Sequence, residues 1–197
     1  MMRVNNKRKS FNVRQLVMVA MLSSISIFLG VSGMGFIVLP AFKLTIMHIP
    51  VIIGAIIEGP AVGALVGLIF GLFSMYQNFT VPGPTSFIFW NPIIALVPRI
   101  LIGIVAYYVY TFLKNKIKND SLTIGISAIF ATAINTIGVL GMAYFFYMEQ
   151  YAEALGISTT LVGGTLLGVG LTNGVPEAIL CALVTIPIIK GIKRIKK

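Results

Sequence analysis

Long apolar segments are the feature of this sequence that most restricts how the chain can fold. Six of them follow one another, at residues 11–31, 44–57, 61–76, 91–113, 122–147 and 162–189. About 20 apolar residues in a helix cross the hydrocarbon core of a bilayer. A chain of 197 residues that is 57% hydrophobic carries far more apolar surface than a soluble domain needs. We therefore predict an all-α integral membrane protein, a compact bundle of six transmembrane helices.

Basic residues are concentrated at the two ends of the chain and in one loop. All but two of the 15 Lys and Arg residues lie there, the exceptions being Lys43 and Arg99. The positive-inside rule then predicts that both termini are cytoplasmic. We attribute the net charge of +10 to residues that set the membrane topology and contact anionic lipid headgroups, rather than to nucleic-acid binding. The predicted domains are a basic cytoplasmic tail (1–10), a six-helix transmembrane substrate-binding domain (11–189) and a second basic cytoplasmic tail (190–197).

Arg99 lies well inside the fourth apolar segment. A guanidinium is always charged, and burying it in a bilayer costs at least about 2.5 kcal/mol unless it has a partner or a wet cavity. Pro98 adds polarity, because it leaves a carbonyl one turn earlier without its helical partner. At helical spacing Asn91, Ala95, Arg99 and Gly103 share one face. We predict that this stripe helps to line a pocket for a small anionic ligand.

Other intramembrane polar residues fall at a similar depth. Asn135 is in the fifth segment, and Asn173 and Glu177 share a face of the sixth. A ligand pocket between helices needs such groups. Each has an alternative role: Glu177 as the counter-ion of Arg99, and the two asparagines as hydrogen-bonding links between helices.

Two residues near the outer ends of segments are further candidates. His48 is the only histidine and is either a headgroup-level residue or a ligand contact. Trp90 is either an interfacial anchor or a stacking surface for ligand. The repeated Gly59, Gly63, Gly67 and Gly71 predict a smooth helix face for close packing.

Motifs for catalysis and metal binding are missing. The sequence has no GxxxxGK[ST], HExxH or GxSxG, and its lone Cys181 lies in an apolar segment. We therefore predict a binding protein with no catalytic residues, no metal and no cofactor. No inverted repeat is evident, which argues against a self-sufficient secondary carrier.

Three stretches resemble a known family. TIMHIPVIIGAIIEGPAVGALVGLIFGLFS, FIFWNPIIALVPRILIG and TNGVPEAIL resemble the substrate-binding S-components of energy-coupling factor (ECF) vitamin transporters, most closely the pantothenate-type members. The resemblance implies a prokaryotic cell-membrane protein with a vitamin site near the outer face. Spans four to six would form that site, and the connections 30–43 and 77–89 would cover it.

The resemblance also implies partners, namely a transmembrane coupling protein and two cytosolic ATPases. In that family small residues on helix 1, in an AxxxA pattern, form the docking face. The nearest match here is Ala20 and Ser24, with serine at the second position.

Pantothenate fits the candidate residues chemically. Its carboxylate would pair with Arg99, and its amide and hydroxyls would bond to Asn91, Asn135, Asn173 or Tyr144. The alternatives are an S-component for folate or riboflavin, a stand-alone ion-coupled carrier, or a scaffold in which Arg99 and Glu177 form only a structural pair.

Overall fold

The protein is a bundle of apolar helices with one short β-hairpin. A computed structural model describes residues 11–38 and 43–195. The elements in chain order are α1 (Val13–Val31), β1 (Phe36–Val38), β2 (Lys43–Thr45), α2 (Ile49–Glu58), α3 (Pro60–Thr80), a 3-10 turn (Ser86–Trp90), α4 (Pro92–Lys114), α5 (Asp120–Leu155), α6 (Thr159–Val169), a π turn (Gly170–Gly174) and α7 (Val175–Ile195). The prediction of a helical membrane protein is confirmed. The predicted tail 1–10 lies outside the described residues.

Within the described residues, five helical segments are long and apolar enough to cross a bilayer. They are α1, α3, α4, α5 and the continuous segment Thr159–Ile195, which joins α6, the π turn and α7. The sixth apolar helix, α2, has only 10 residues, about 15 Å of helix. It is shorter than the predicted segment 44–57 because β2 occupies the first part of that segment in extended form. The hairpin pairs Phe36 with Thr45.

Two predicted boundaries are wrong. Helix α3 continues to Thr80 into the expected loop 77–89, because Asn78 Nδ2 donates to Ser74 O (2.8 Å) and Thr80 Oγ1 to Tyr76 O (3.1 Å). Helix α5 passes the expected end at Tyr147, whose φ of −137° marks a kink. It ends at Gly156, whose φ of 65° is left-handed and suits glycine.

Small residues bring α3 and α4 into close contact. A Cβ added at Gly71 would lie 2.6 Å from the Ala95 carbonyl oxygen, and one added at Gly67 would overlap the Arg99 carbonyl. Gly63 meets Gly103 in the same contact. Three residues of the predicted glycine face therefore pack on the α4 stripe and bury Ala95 and Gly103 between the helices. The fourth, Gly59, precedes α3 with a φ of 105° and lies outside this contact.

One end of the bundle holds its ion pairs. Arg14 pairs with Glu58 at 2.8 Å, which joins the start of α1 to the end of α2. Lys193 pairs with Asp120 at 2.9 Å, and Tyr110 donates to the same carboxylate, which joins α4, α5 and α7. Helices α1 to α5 therefore alternate in direction, the continuous segment of α6 and α7 runs opposite to α5, and α2 runs toward the same end as α4 and α7.

Candidate binding site

Four polar residues from four different parts of the chain are buried inside the bundle. His48 is 0% exposed, Arg99 6%, Glu177 7% and Asn135 9%. They come from the residue before α2, from α4, from α7 and from α5, respectively. Buried polar groups in a membrane protein are costly and ordinarily have a partner or a function. Among these four, several polar atoms have neither a hydrogen bond nor exposure to solvent.

Arg99 is held by the carbonyl that Pro98 leaves free. Proline has no N–H for the carbonyl four residues earlier, which belongs to Ile94. The Arg99 Nη1 donates to Ile94 O at 2.9 Å. The guanidinium carbon also lies 4.9 Å from the centre of the Phe89 ring and 5.9 Å from that of Phe70. These contacts orient the cation but do not neutralise it.

The charge of Arg99 has no direct counter-ion. Within the described residues, no carboxylate lies within 4.0 Å of its guanidinium, and its Nε has no hydrogen-bond partner. Glu177 is close enough to interact with Arg99 electrostatically but does not form an ion pair with it. A buried guanidinium with a free donor edge is suited to a carboxylate from outside the chain.

His48 joins α5 and α7 from the start of α2. Its Nε2 lies 3.0 Å from Thr132 Oγ1, within hydrogen-bonding distance. Its Nδ1 lies 3.4 Å from Glu177 Oε1, yet neither atom has a hydrogen bond of acceptable geometry. Glu177 also has the Thr45 backbone as a hydrogen-bonding neighbour, so the hairpin contacts the site through β2. His48 and Glu177 thus lie side by side, but neither of the two facing atoms has a hydrogen bond.

Asn135 supplies a free acceptor on α5. Its Oδ1 is buried and has no partner. One turn further along, Gly138 packs on the Pro98 ring, where an added Cβ would lie 3.3 Å from the ring. The asparagine therefore lies on the part of α5 that packs against α4 beside Arg99.

The other predicted ligand contacts have different surroundings. Asn91 caps α4 by accepting from the Ile93 amide at 3.0 Å, and its Nδ2 lies 3.4 Å from the Tyr147 hydroxyl. Trp90 stacks on Phe79 and donates to the Asn78 carbonyl at 3.1 Å. Both residues thus order the segment that leads into α4.

Asn173 and Tyr144 lie on the side where α5 faces α6. Asn173 is half-buried in the π turn, and Tyr144 is 41% exposed. Tyr144 lines an apolar groove of about 640 Å³ between α5 and the segment from α6 to α7. None of the four buried polar residues lines this groove. We therefore place the candidate site at the polar cluster, because an anionic ligand needs the cation that the groove lacks.

Thr132 is the polar contact that sequence reasoning missed. It is fully buried, faces His48, and is also a hydrogen-bonding neighbour of Cys181. A threonine within an apolar helix ordinarily bonds to its own backbone, so its sequence carries no sign of this contact. In the described part of the chain, no three His, Cys, Asp or Glu side chains are placed to hold a metal ion. The arrangement suits binding of a polar anion.

The fold and this buried cluster agree with the comparison to known proteins. The family model for the ECF transporter, substrate-specific component, matches residues 14–189. The chain belongs to this family, so it is the substrate-binding membrane subunit of an ECF importer and not an enzyme.

Two proteins similar to this chain are pantothenate transporters. The chain is 35% identical over 166 residues to the pantothenic acid transporter PanT of Lactococcus lactis subsp. cremoris, covering 77% of this chain and 79% of the relative. It is 31% identical over 179 residues to the pantothenate transporter PanT of Leuconostoc mesenteroides subsp. mesenteroides, covering 89% and 87%. The resemblance seen in the sequence is confirmed.

Proposed function

We propose that this subunit binds pantothenate and presents it to an ATP-driven ECF importer. The observation that carries the proposal is the buried Arg99, whose Nε has no partner and whose charge has no carboxylate within ion-pair distance in the described chain. The names of the two relatives support the same ligand. Pantothenate carries one carboxylate, which a guanidinium recognises by charge-assisted hydrogen bonds.

The rest of the ligand matches the remaining groups. The amide and hydroxyls of pantothenate can donate to the free Asn135 Oδ1. Its gem-dimethyl group can pack on the rings of Phe70 and Phe89. Phe89 belongs to the 3-10 turn between α3 and α4, so movement of this turn would open the path to Arg99. Asn91, Asn173, Trp90 and Tyr144 then act at the margin of the site.

The partners we propose are a transmembrane coupling protein and two cytosolic ATPases. On α1, Ala20 and Ser24 are both exposed, and the Ser24 hydroxyl donates to the Ala20 carbonyl at 2.8 Å. This bond hides the hydroxyl and leaves a smooth surface of small side chains, which suits close helix contact. Docking on this face needs no charged residue.

The membrane topology we propose has six crossings and cytoplasmic termini. Helix α2 completes the second crossing together with the extended β2 that precedes it. The bundle end with the ion pairs also carries the basic residues of the 114–118 loop and the end of α7. The positive-inside rule assigns that end to the cytoplasm.

Binding by the purified subunit tests the proposed ligand. Pantothenate should raise the thermal unfolding temperature of the wild type, whereas folate and riboflavin should not. Arg99→Ala should lose about 30-fold or more in affinity, because removing one partner of a buried, hydrogen-bonded charge pair costs about 2–5 kcal/mol. Arg14→Ala, which removes an arginine from the exposed ion pair, is the matched control and should bind normally.

Two results would contradict the proposal. Unchanged pantothenate affinity in Arg99→Ala would exclude the carboxylate role of this residue. Uptake into vesicles by the subunit alone, driven by an ion gradient and indifferent to ATP, would indicate a secondary carrier instead.

A further inference from the structure

The charges inside the site do not balance once an anionic ligand is present. Arg99 contributes one positive charge, and Glu177 is the one carboxylate buried among the described residues. Without ligand, the positive charge of Arg99 and the negative charge of Glu177 can compensate each other across the protein interior. A bound carboxylate adds a second negative charge, and an uncompensated charge in the membrane interior is costly. This inference rests on the proposed function, because it requires the ligand carboxylate at Arg99.

Among the side chains that the structure describes, Arg99 is the one permanent cation near Glu177. His48 faces it from the start of α2, Arg99 from α4, and Cys181 from α7. Helix α5 contributes the uncharged Thr132 and Asn135 nearby.

The remaining elements add no described charge near this carboxylate. Strand β2 contributes the Thr45 backbone, and the Lys43 side chain on the same strand lies outside what the structure describes. Helices α3 and α6 have no charged residue, and the Arg14 of α1 pairs with Glu58 at the bundle end.

We propose that binding of the ligand carboxylate to Arg99 is coupled to uptake of one proton by the Glu177–His48 pair. The proton comes from water and is held between Glu177 Oε1 and His48 Nδ1, which lie 3.4 Å apart. The site then contains one cation, one ligand anion and a neutral acid–imidazole pair, or equally an imidazolium–carboxylate pair. In either form its net charge is zero.

The geometry explains why this pair receives the proton. Glu177 Oε1 and His48 Nδ1 are both buried without a hydrogen-bond partner, and they face each other. The other imidazole nitrogen, Nε2, already has the Thr132 hydroxyl at 3.0 Å. When Nε2 carries the imidazole proton and donates it to the Thr132 hydroxyl, Nδ1 and Glu177 Oε1 are both acceptors without a donor. One added proton between them then supplies the hydrogen bond that both atoms lack, and the positive charge of Arg99 is released for the ligand.

Proton counting on the purified full-length subunit tests the coupling. Isothermal titration with pantothenate, repeated at one pH in buffers of different ionisation enthalpy, gives the number of protons taken up. We expect about one proton for the wild type at neutral pH. We also expect the affinity to fall by up to about tenfold per pH unit as pH rises, because the bound state holds the extra proton.

Glu177→Gln is the informative variant. The amide resembles the protonated acid and cannot ionise, so this variant should bind with an affinity independent of pH and with no proton uptake. Glu153→Gln is the matched control, because it removes an exposed carboxylate on α5 and should keep the wild-type proton count.

The outcomes separate this inference from the proposed function. Pantothenate binding by the wild type without proton exchange would overturn the coupling and leave the ligand assignment intact. The same proton count in Glu177→Gln as in the wild type would overturn the assignment to this pair. Absence of pantothenate binding in the wild type would contradict the proposed function itself.

Discussion

Arg99 shows how a charged side chain is kept at membrane depth without an ion pair. The bend-forming Pro98 frees the Ile94 carbonyl, and the neighbouring arginine bonds to it at 2.9 Å. Two phenylalanine rings lie beside the guanidinium. The proline therefore leaves free the Ile94 carbonyl that orients the Arg99 cation, while the Nε of Arg99 has no hydrogen-bond partner.

Pro98→Ala tests this role. An alanine restores the N–H that competes for the Ile94 carbonyl, so Arg99 loses its fixed orientation. We expect pantothenate affinity to fall by about three- to tenfold, which corresponds to loss of a hydrogen bond of about 1 kcal/mol. Titration calorimetry measures this change in pantothenate affinity.

Pro187→Ala is the control, since it changes the proline inside α7. Equal losses of affinity in the two variants would mean that helix straightening in general, and not the Ile94 carbonyl, weakens binding.

At the scale of elements, the contact between α3 and α4 determines where the site forms. Gly63, Gly67 and Gly71 allow α3 to rest directly on the α4 backbone. Since this contact takes up the faces of Ala95 and Gly103, Arg99 is the stripe residue whose charged side chain is buried, near enough to Glu177 of α7 to interact electrostatically. Close backbone approach thus sets the direction of the cation.

Gly67→Ala should destabilise the subunit. The added Cβ would lie within 3 Å of the Arg99 carbonyl carbon and closer still to its oxygen, so the backbone must shift. Overpacking of this kind costs about 1–3 kcal/mol. Thermal unfolding in detergent measures the change.

The control is Gly141→Ala, a helical position with no atom within 4 Å of the added Cβ. It should leave the unfolding temperature unchanged or raise it slightly, because alanine favours helix. A Gly67→Ala protein as stable as the control would show that the two helices are not in close contact.

At the scale of the whole molecule, the ends of the bundle differ in chemistry. One end carries the ion pairs of Arg14 with Glu58 and of Lys193 with Asp120. The other carries the 3-10 turn, the kink at Tyr147 and the turn at Gly156. Partly exposed ion pairs contribute at most about 1 kcal/mol each, so these two link the helix ends and add little to the stability of the bundle.

Cysteine labelling tests the proposed topology. In a Cys181→Ser background, a membrane-impermeant maleimide added to intact cells should label Gly83→Cys. It should label Phe11→Cys and Lys116→Cys only after permeabilisation, because both lie at the basic end. If α2 did not complete a crossing, Phe11→Cys and Lys116→Cys would be labelled from opposite sides.

Part of the site could be predicted from single segments of the sequence. Arg99, Asn135 and Glu177 each stand out as polar residues in apolar segments, and any intramembrane charge suggests function. A structural ion pair between Arg99 and Glu177 was one of the alternatives, but in the described chain the basic side chain within 4.0 Å of that carboxylate is His48, at 3.4 Å. Sequence spacing relates residues within one helix and carries no information about which side chains meet across helices.

The amino-acid sequence alone determined that this chain forms apolar helices and that it belongs among ECF substrate-binding subunits, and it predicted that most of its basic residues lie at one end. These properties follow from local composition and motif, because the bilayer selects segments by length and polarity. Only the tertiary structure decided that His48 meets Thr132, 84 residues away, and that its other ring nitrogen faces Glu177. Such contacts depend on how the helices rotate and pack against one another. That packing is set by small residues that lie far from the site residues in the sequence.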